Sequence, residues 1–160
     1  MIDPAVRRYI VESQAECALA NVRRASRALT GMYDDALAPV GLRSTQFTLL
    51  AQIAATDGIA MTELADQLGM DRTTLTRNLT PLVRERWLRI EAAADRRVRL
   101  VSVTPSGFRL LAQAAPLRAA AQERVVAALG RERYQEWLGL LDHVAEAAPT
   151  RSSASATRRP

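Results

Sequence analysis

Residues 72–86 read RTTLTRNLTPLVRER, and the spacing of threonine and arginine in this run is the first feature of the chain that could do chemistry. On a helical wheel at about 100° per residue, Leu75, Leu79, Leu82 and Arg86 fall on one side, with Val83 at the margin. Thr73, Arg77, Thr80 and Arg84 fall on the other, with Thr76 beside them. That second face carries hydroxyls and guanidinium groups and no carboxylate. Hydroxyls bond phosphates or base edges, and a guanidinium fork pairs bidentately with guanine O6 and N7. The free N–H groups at the start of such a helix also attract phosphate. A solvated amphipathic helix has a polar outer face too, and for an isolated helix that is the commoner explanation.

The surroundings favour the nucleic-acid reading. Residues 71–99 hold eight arginines and four acidic residues, whereas residues 1–70 hold six and eight. The whole chain carries a formal charge of +5, and every basic side chain is arginine. Such clustering is an electrostatic footprint for phosphate. Asp95-Arg96-Arg97 adds a basic turn shortly after the helix.

Other chemistries lack their residues. Cys17 and His143 are the sole cysteine and histidine, too few for a metal site, which needs three or four ligands. There is no Ser-His-Asp set in matching context, no glycine-rich phosphate loop and no carboxylate pair with a plausible cleft. Glu63 and Asp66 read as helix-start charges that complement the macrodipole. No catalytic residue, metal or cofactor is expected. Cys17 is a candidate redox thiol, but Glu16 beside it disfavours thiolate. Arg23 and Arg24 lie six and seven positions on, and a buried, inert cysteine is the commoner case.

The elements that must position these residues are legible from periodicity. At 160 residues, 48% apolar and 4% aromatic, the chain can build one core of Leu, Ala and Val, which suits helices. Ala15, Ala18, Leu19, Val22, Ala25, Leu29, Met32, Ala36 and Leu37 predict a helix over 12–38, with a bend at Gly31 and a stop at Pro39 and Gly41. Ser44 caps a second helix with Phe47, Leu50, Ala51 and Ala54 inward, closing at Asp57-Gly58. Thr62 caps a short helix over 63–68, Gly69 ends it, and Asp71 caps the next. The short Gly69-Met70 connection forces those two helices to meet steeply, the geometry of a helix-turn-helix.

From Trp87 the pattern alternates. Leu88 and Ile90 oppose Arg89 and Glu91, a tight turn falls at Ala92–Ala94, and 98–103 forms the second strand of a hairpin. Thr104-Pro105 starts a long helix that Pro116 should kink. It ends at Leu129-Gly130. Tyr134, Trp137, Leu138, Leu141 and Val144 mark a last amphipathic helix. Residues 149–160, rich in Ser, Thr and Arg, are expected to be a disordered basic tail. No apolar run reaches the roughly 20 residues of a membrane span, and no signal pattern opens the chain, so the expected compartment is the cytoplasm.

The segments TELADQLGMDRTTLTRNLTPL (62–82), DRR (95–97), VTPSG (103–107) and GLRSTQFTLLAQI (41–53) resemble the MarR family of bacterial transcriptional regulators. The resemblance covers most of the chain. It implies a mainly α fold with a small β-hairpin wing, a winged helix-turn-helix over 42–104. Helices in 12–38 and 105–147 would form the dimerisation region. It implies a homodimer on a pseudo-palindromic double-stranded DNA operator, most often as a repressor. One helix would enter the major groove and a wing arginine the minor groove, where a narrow groove concentrates negative potential.

On this reading the DNA-binding residues are Arg72, Thr73, Thr74, Thr76, Arg77, Thr80, Arg84, Asp95, Arg96, Arg97 and Arg99. Arg97 reaches the minor groove and Asp95 holds the wing in shape. The dimer interface takes Ala15, Leu19, Tyr134, Trp137, Leu138 and Leu141. A small-molecule effector is a candidate partner, in a pocket that relatives place between the dimer helices and the reading head, with Tyr33 and one of Arg23, Arg24 and Arg27 as candidate lining. Some relatives sense peroxide through a cysteine near Cys17. Trp87 stands where the family commonly has glycine, and Pro81 is not general in it. A thiol-based redox repressor, a non-specific architectural nucleic-acid-binding protein and a helical module for an acidic protein are the alternatives.

Overall fold

A computed structural model describes residues 2–93, 95 and 97–147. The elements run α1 (Pro4–Glu16), α2 (Ala18–Leu37), a 3-10 turn (Ala38–Val40), α3 (Ser44–Ala54) and β1 (Ile59–Ala60). They continue with α4 (Met61–Gln67), α5 (Arg72–Arg84), β2 (Leu88–Ala92), β3 (Arg99–Val103), α6 (Pro105–Leu129) and α7 (Arg131–Ala147). The expected mainly helical fold with a hairpin wing is present.

The core lies where α3, α4, α5 and the sheet converge, with Leu37, Leu50, Ile53, Leu64, Leu75, Leu79, Leu82, Leu88 and Val101 sealed from solvent. Each such leucine contributes roughly 1.5–3 kcal/mol by leaving water. The sheet is antiparallel in the order β1-β3-β2. Leu88 pairs with Val103 and Ile90 with Val101, so one face of the hairpin closes over the core while Arg89 faces solvent.

Several details differ from the sequence reading. The first helix is two helices, separated at Cys17, whose backbone is extended. No glycine or proline marks the break. It is stabilised instead by Asn21, whose side-chain amide donates to the carbonyls of Ala15 and Cys17 at 2.9 and 3.0 Å, closing the end of α1. Gly31 does not interrupt α2. Ser44 lies inside α3 rather than before it; its N–H and hydroxyl both donate to Asp34 Oδ1 at 2.6 Å, tying α3 to α2. On α3, Leu49 and Ile53 are buried in addition to the expected Leu50.

No periodicity marks β1, a two-residue strand that pairs with β3. The chain passes from it directly into α4, so Ala60, not Thr62, precedes the helix. The wing connection is longer than a tight turn, because β2 continues to Ala92 and β3 begins at Arg99. Pro81 and Pro116 lie within continuous α5 and α6. Asp71 and Thr104 cap α5 and α6 as expected, accepting from the N–H groups of Thr74 and Gly107.

Candidate nucleic-acid interface

Helix α5 is held from below by Leu75, Leu79 and Leu82 and fixed at its start by Asp71. Asp71 Oδ1 accepts from Thr74 N at 2.9 Å and Oδ2 accepts from the Thr74 hydroxyl at 2.7 Å. Those two bonds hold the Asp71 carboxyl below its ordinary pKa. They also occupy the one carboxylate at this end of the helix. Thr74 is half-buried and serves the cap, whereas Arg72, Thr73, Thr76, Arg77 and Thr80 are exposed. Arg72, Thr73, Thr76 and Arg77 line a shallow open depression. The Thr76 and Thr80 hydroxyls donate to the carbonyls of Arg72 and Thr76 at 2.8 Å, which fixes their rotamers and leaves oxygen lone pairs outward.

Arg84 ends the helix with its Nε 3.3 Å from Glu85 Oε1, both exposed. Arg86, placed on the inner side by the wheel, is exposed and lies beyond the helix, at φ 59°. It is the one non-glycine residue among those described in the left-handed region. The glycine-favouring position at this junction is therefore Arg86, not Trp87. The strained turn is clamped by the next helix: Thr104 and Ser106 hydroxyls donate to the Arg86 carbonyl at 2.7 and 2.8 Å. A Cβ on Gly107 would lie 2.3 Å from the Trp87 carbonyl oxygen, so VTPSG is a contact motif that anchors α6 against the root of the wing.

At the wing, Asp95 Oδ1 accepts from Arg97 N at 3.0 Å, and Val98 N donates to Asp95 O at 2.9 Å. Arg97 and Arg99 are exposed. Arg96 lies outside the described residues, as does 149–160. Arg89, not among the expected contacts, is also exposed and bonds Ser102 Oγ at 2.8 Å.

The expected interface residues lie on the outer helices. Ala15, Leu19 and Leu138 are exposed, while Tyr134, Trp137 and Leu141 are half-buried. Tyr134 stacks obliquely on Trp137, with centroids 6.1 Å apart. A hydrogen-bond chain joins three helices: Tyr33 OH donates to Gln122 Oε1, and Gln122 Nε2 donates to Tyr134 OH at 2.6 Å. Cys17 is exposed, contrary to the commoner buried case. His143 bonds the Gly139 carbonyl within its own helix.

A cavity of about 720 Å³ opens between α2, α3, α7 and the turn joining α4 to α5. Its wall includes Leu29, Tyr33, Leu49 and Trp137, and also Met70 and Asn78 of the reading head. Tyr33 lines it as expected, but Arg23, Arg24 and Arg27 do not. They stand on the exposed side of α2, where Arg24 donates to Asn21 Oδ1 at 2.9 Å. The rest of this lining has no motif; it is assembled from single residues of four segments.

Residues 40–98 match the model of the MarR family. The Mycobacterium tuberculosis transcriptional regulator MosR, solved in complex with DNA, is 41% identical, with 82% of this chain aligned to 97% of that one at a TM-score of 0.72. This chain belongs to the MarR family. The transcriptional repressor CouR bound to a 23-mer DNA duplex is 27% identical over 83% of this chain and 95% of its own, with a TM-score of 0.78. CouR has also been solved with p-coumaroyl-CoA, at 25% identity, 83% and 94% coverage and a TM-score of 0.77. No curated protein sequence matches significantly. In this MarR-family chain the matched span takes in α3, the helix-turn-helix and the wing up to Val98. The chain is a transcriptional regulator of winged-helix fold.

Proposed function

We propose that the protein is a homodimeric repressor that binds a pseudo-palindromic DNA operator and is released by a small-molecule effector. One observation carries the reading: the outward face of α5 offers Arg72, Thr73, Thr76, Arg77 and Thr80 without a free carboxylate, beside an exposed Arg97. Thr73, Thr76 and Arg77 meet base edges in the major groove and Arg97 enters the minor groove. Arg72, Thr80, Arg84, Arg96 and Arg99 contact phosphates, and Asp95 shapes the wing. Residues 42–104 read DNA, while 12–38 and 105–147 join two copies through Ala15, Leu19, Tyr134, Trp137, Leu138 and Leu141. Two-fold symmetry then sets the two α5 helices one turn of DNA apart. DNA complexes of MosR and CouR support the placement by likeness.

The protein acts by binding rather than by catalysis, and in the cytoplasm. No helix among the described residues is long and apolar enough to cross a membrane. The large cavity serves as the effector site, since Met70 and Asn78 connect its wall to the turn and inner side of the helix-turn-helix. Asn78 Nδ2 lies 3.7 Å from Met70 Sδ, so a ligand that displaces either moves the start of α5.

The test is a titration of DNA fragments captured from the genome against scrambled duplexes at fixed salt. A specific regulator prefers its site by about 10³-fold or more. Equal affinity for all duplexes would leave an architectural protein instead. A thiol switch is the second reading, favoured by the exposure of Cys17 at the N-terminal end of α2. Peroxide that still releases DNA from Cys17→Ser eliminates it.

A further inference from the structure

Where the cavity of about 720 Å³ opens, α2, α3 and α7 face a space instead of one another. Apolar burial elsewhere draws these helices together without fixing their direction, because it is non-directional. Leu37 seals the end of α2 into the core, but no residue of α7 is buried at all. Their angles must come from hydrogen bonds, which weaken steeply when bent. Two adjacent residues of α2 make such bonds, each to a different element. Asp34 Oδ1 accepts both the N–H and the hydroxyl of Ser44 at 2.6 Å, so one oxygen holds the first turn of α3. Tyr33 donates to Gln122 Oε1 of α6, and Gln122 Nε2 donates to Tyr134 OH of α7 at 2.6 Å. A third tie lies at the same level. Arg118 of α6, itself exposed, keeps its guanidinium 5.7 Å from the Tyr33 ring centre and 5.5 Å from that of Phe47 on α3, an attraction between cation and ring faces.

One turn of α2 therefore fastens the reading head through Asp34 and the last helix through Tyr33. We propose that Tyr33 and Asp34 form the joint that sets the angle between α7 and the reading head, and through it the separation of the two α5 helices on the operator. Both are positioning residues, since neither lies on the face of α5 or on the wing. Two-fold symmetry doubles any error in that angle at the DNA, where half-sites one helical turn apart must be met together. The link to spacing rests on the reading of a homodimer on a two-fold operator, whereas the angle is a property of one chain.

Double electron–electron resonance on the full chain without DNA reads the joint directly. Spin labels go on Asp66→Cys of α4 and Glu136→Cys of α7, both exposed positions, in a Cys17→Ser background. Dilution with unlabelled protein leaves only the distance within one chain. Wild type is expected to give one narrow distance, and Tyr33→Phe and Asp34→Ala a broader or shifted one. Asp34→Asn, which keeps an accepting oxygen, should restore part of the order. Ile53→Val removes one buried methyl of α3 and controls for lost stability. It should lower the melting point and leave the distance as in wild type. Operators whose half-sites are moved together or apart by one base pair are then titrated. The wild-type preference for its native spacing should narrow by about threefold or more in Tyr33→Phe and Asp34→Ala, the scale of one lost hydrogen bond. It should persist in Ile53→Val. The proposal is overturned by an unchanged distance in Tyr33→Phe or Asp34→Ala, by a wild-type distance already broad, or by equal broadening in Ile53→Val. Affinity lost equally at every spacing also overturns it, since lower stability alone does that. If wild type prefers no duplex while the distance change persists, the operator reading fails and the joint stands.

Discussion

Arg97 and Arg86 carry the same charge and do opposite things. Arg97 stands exposed on a wing whose backbone is fixed by the Asp95 carboxylate. Arg97→Ala is expected to weaken operator binding by about tenfold or more, with the loss shared by all sequences of similar groove width. A filter-binding or anisotropy titration at physiological salt checks it; unchanged affinity would remove the wing from the interface. Arg86 instead occupies a left-handed backbone position at the exit of α5, which strains a side chain with a Cβ by roughly 1 kcal/mol. Arg86→Gly should therefore raise stability by about 0.5–1 kcal/mol in urea denaturation, even though it removes a cation. A fall in stability would mean the Arg86 side chain contributes more than its backbone costs. Asp34 is the titrating counterpart. Hydrogen bonds from the Ser44 hydroxyl and N–H hold its carboxyl below the ordinary 3.8. A depressed native pKa stabilises the fold above the unfolded value and loses that contribution as pH falls through the native one. Stability measured from pH 7 down to about 2 should thus fall less steeply on the acid side in Asp34→Asn than in wild type.

At the scale of elements, the connections rather than the elements themselves decide the geometry. Gly107 sits where a Cβ would collide with the Trp87 backbone and with Val103. Gly107→Ala should cost about 1–3 kcal/mol and loosen the wing root. Circular dichroism melts would register the loss, and an unchanged melting point would show that α6 can slide away at no cost. These connections also mark where the sequence became hard to read. The leucine stripe of α5, the caps at Asp71 and Thr104 and the alternation in 88–91 were plain because period and capping chemistry are local properties. The break at Cys17 was not, since Asn21 produces it from four residues away without glycine or proline. Nor was β1, because two residues have no periodicity and Ile59 becomes a strand only by pairing with Val101. The face of α5 could be drawn on a wheel, but the cavity could not, because its wall draws on α2, α3, α7 and the α4–α5 turn.

For the whole molecule, α1 and α7 are the helices that add no side chain to the core of one chain. No residue of α7 is buried, and no described residue of α1 is. Val6, Tyr9, Ile10, Leu19, Leu138, Leu140 and Val144 are exposed together on the outer helices. A second copy would cover them, so Leu138→Glu is expected to shift the protein toward monomer in light scattering and to lower operator affinity through lost bivalency. A Leu138→Glu dimer that binds as wild type would place the interface elsewhere. The native state of such a chain is second order in its own concentration. Its thermal midpoint should climb by several degrees between about 1 and 100 µM, where that of a self-sufficient domain would stay fixed. In a cell, scarcity alone would then expose these helices to proteases, and the number of chains present would govern both how long each survives and how fully the operator is occupied.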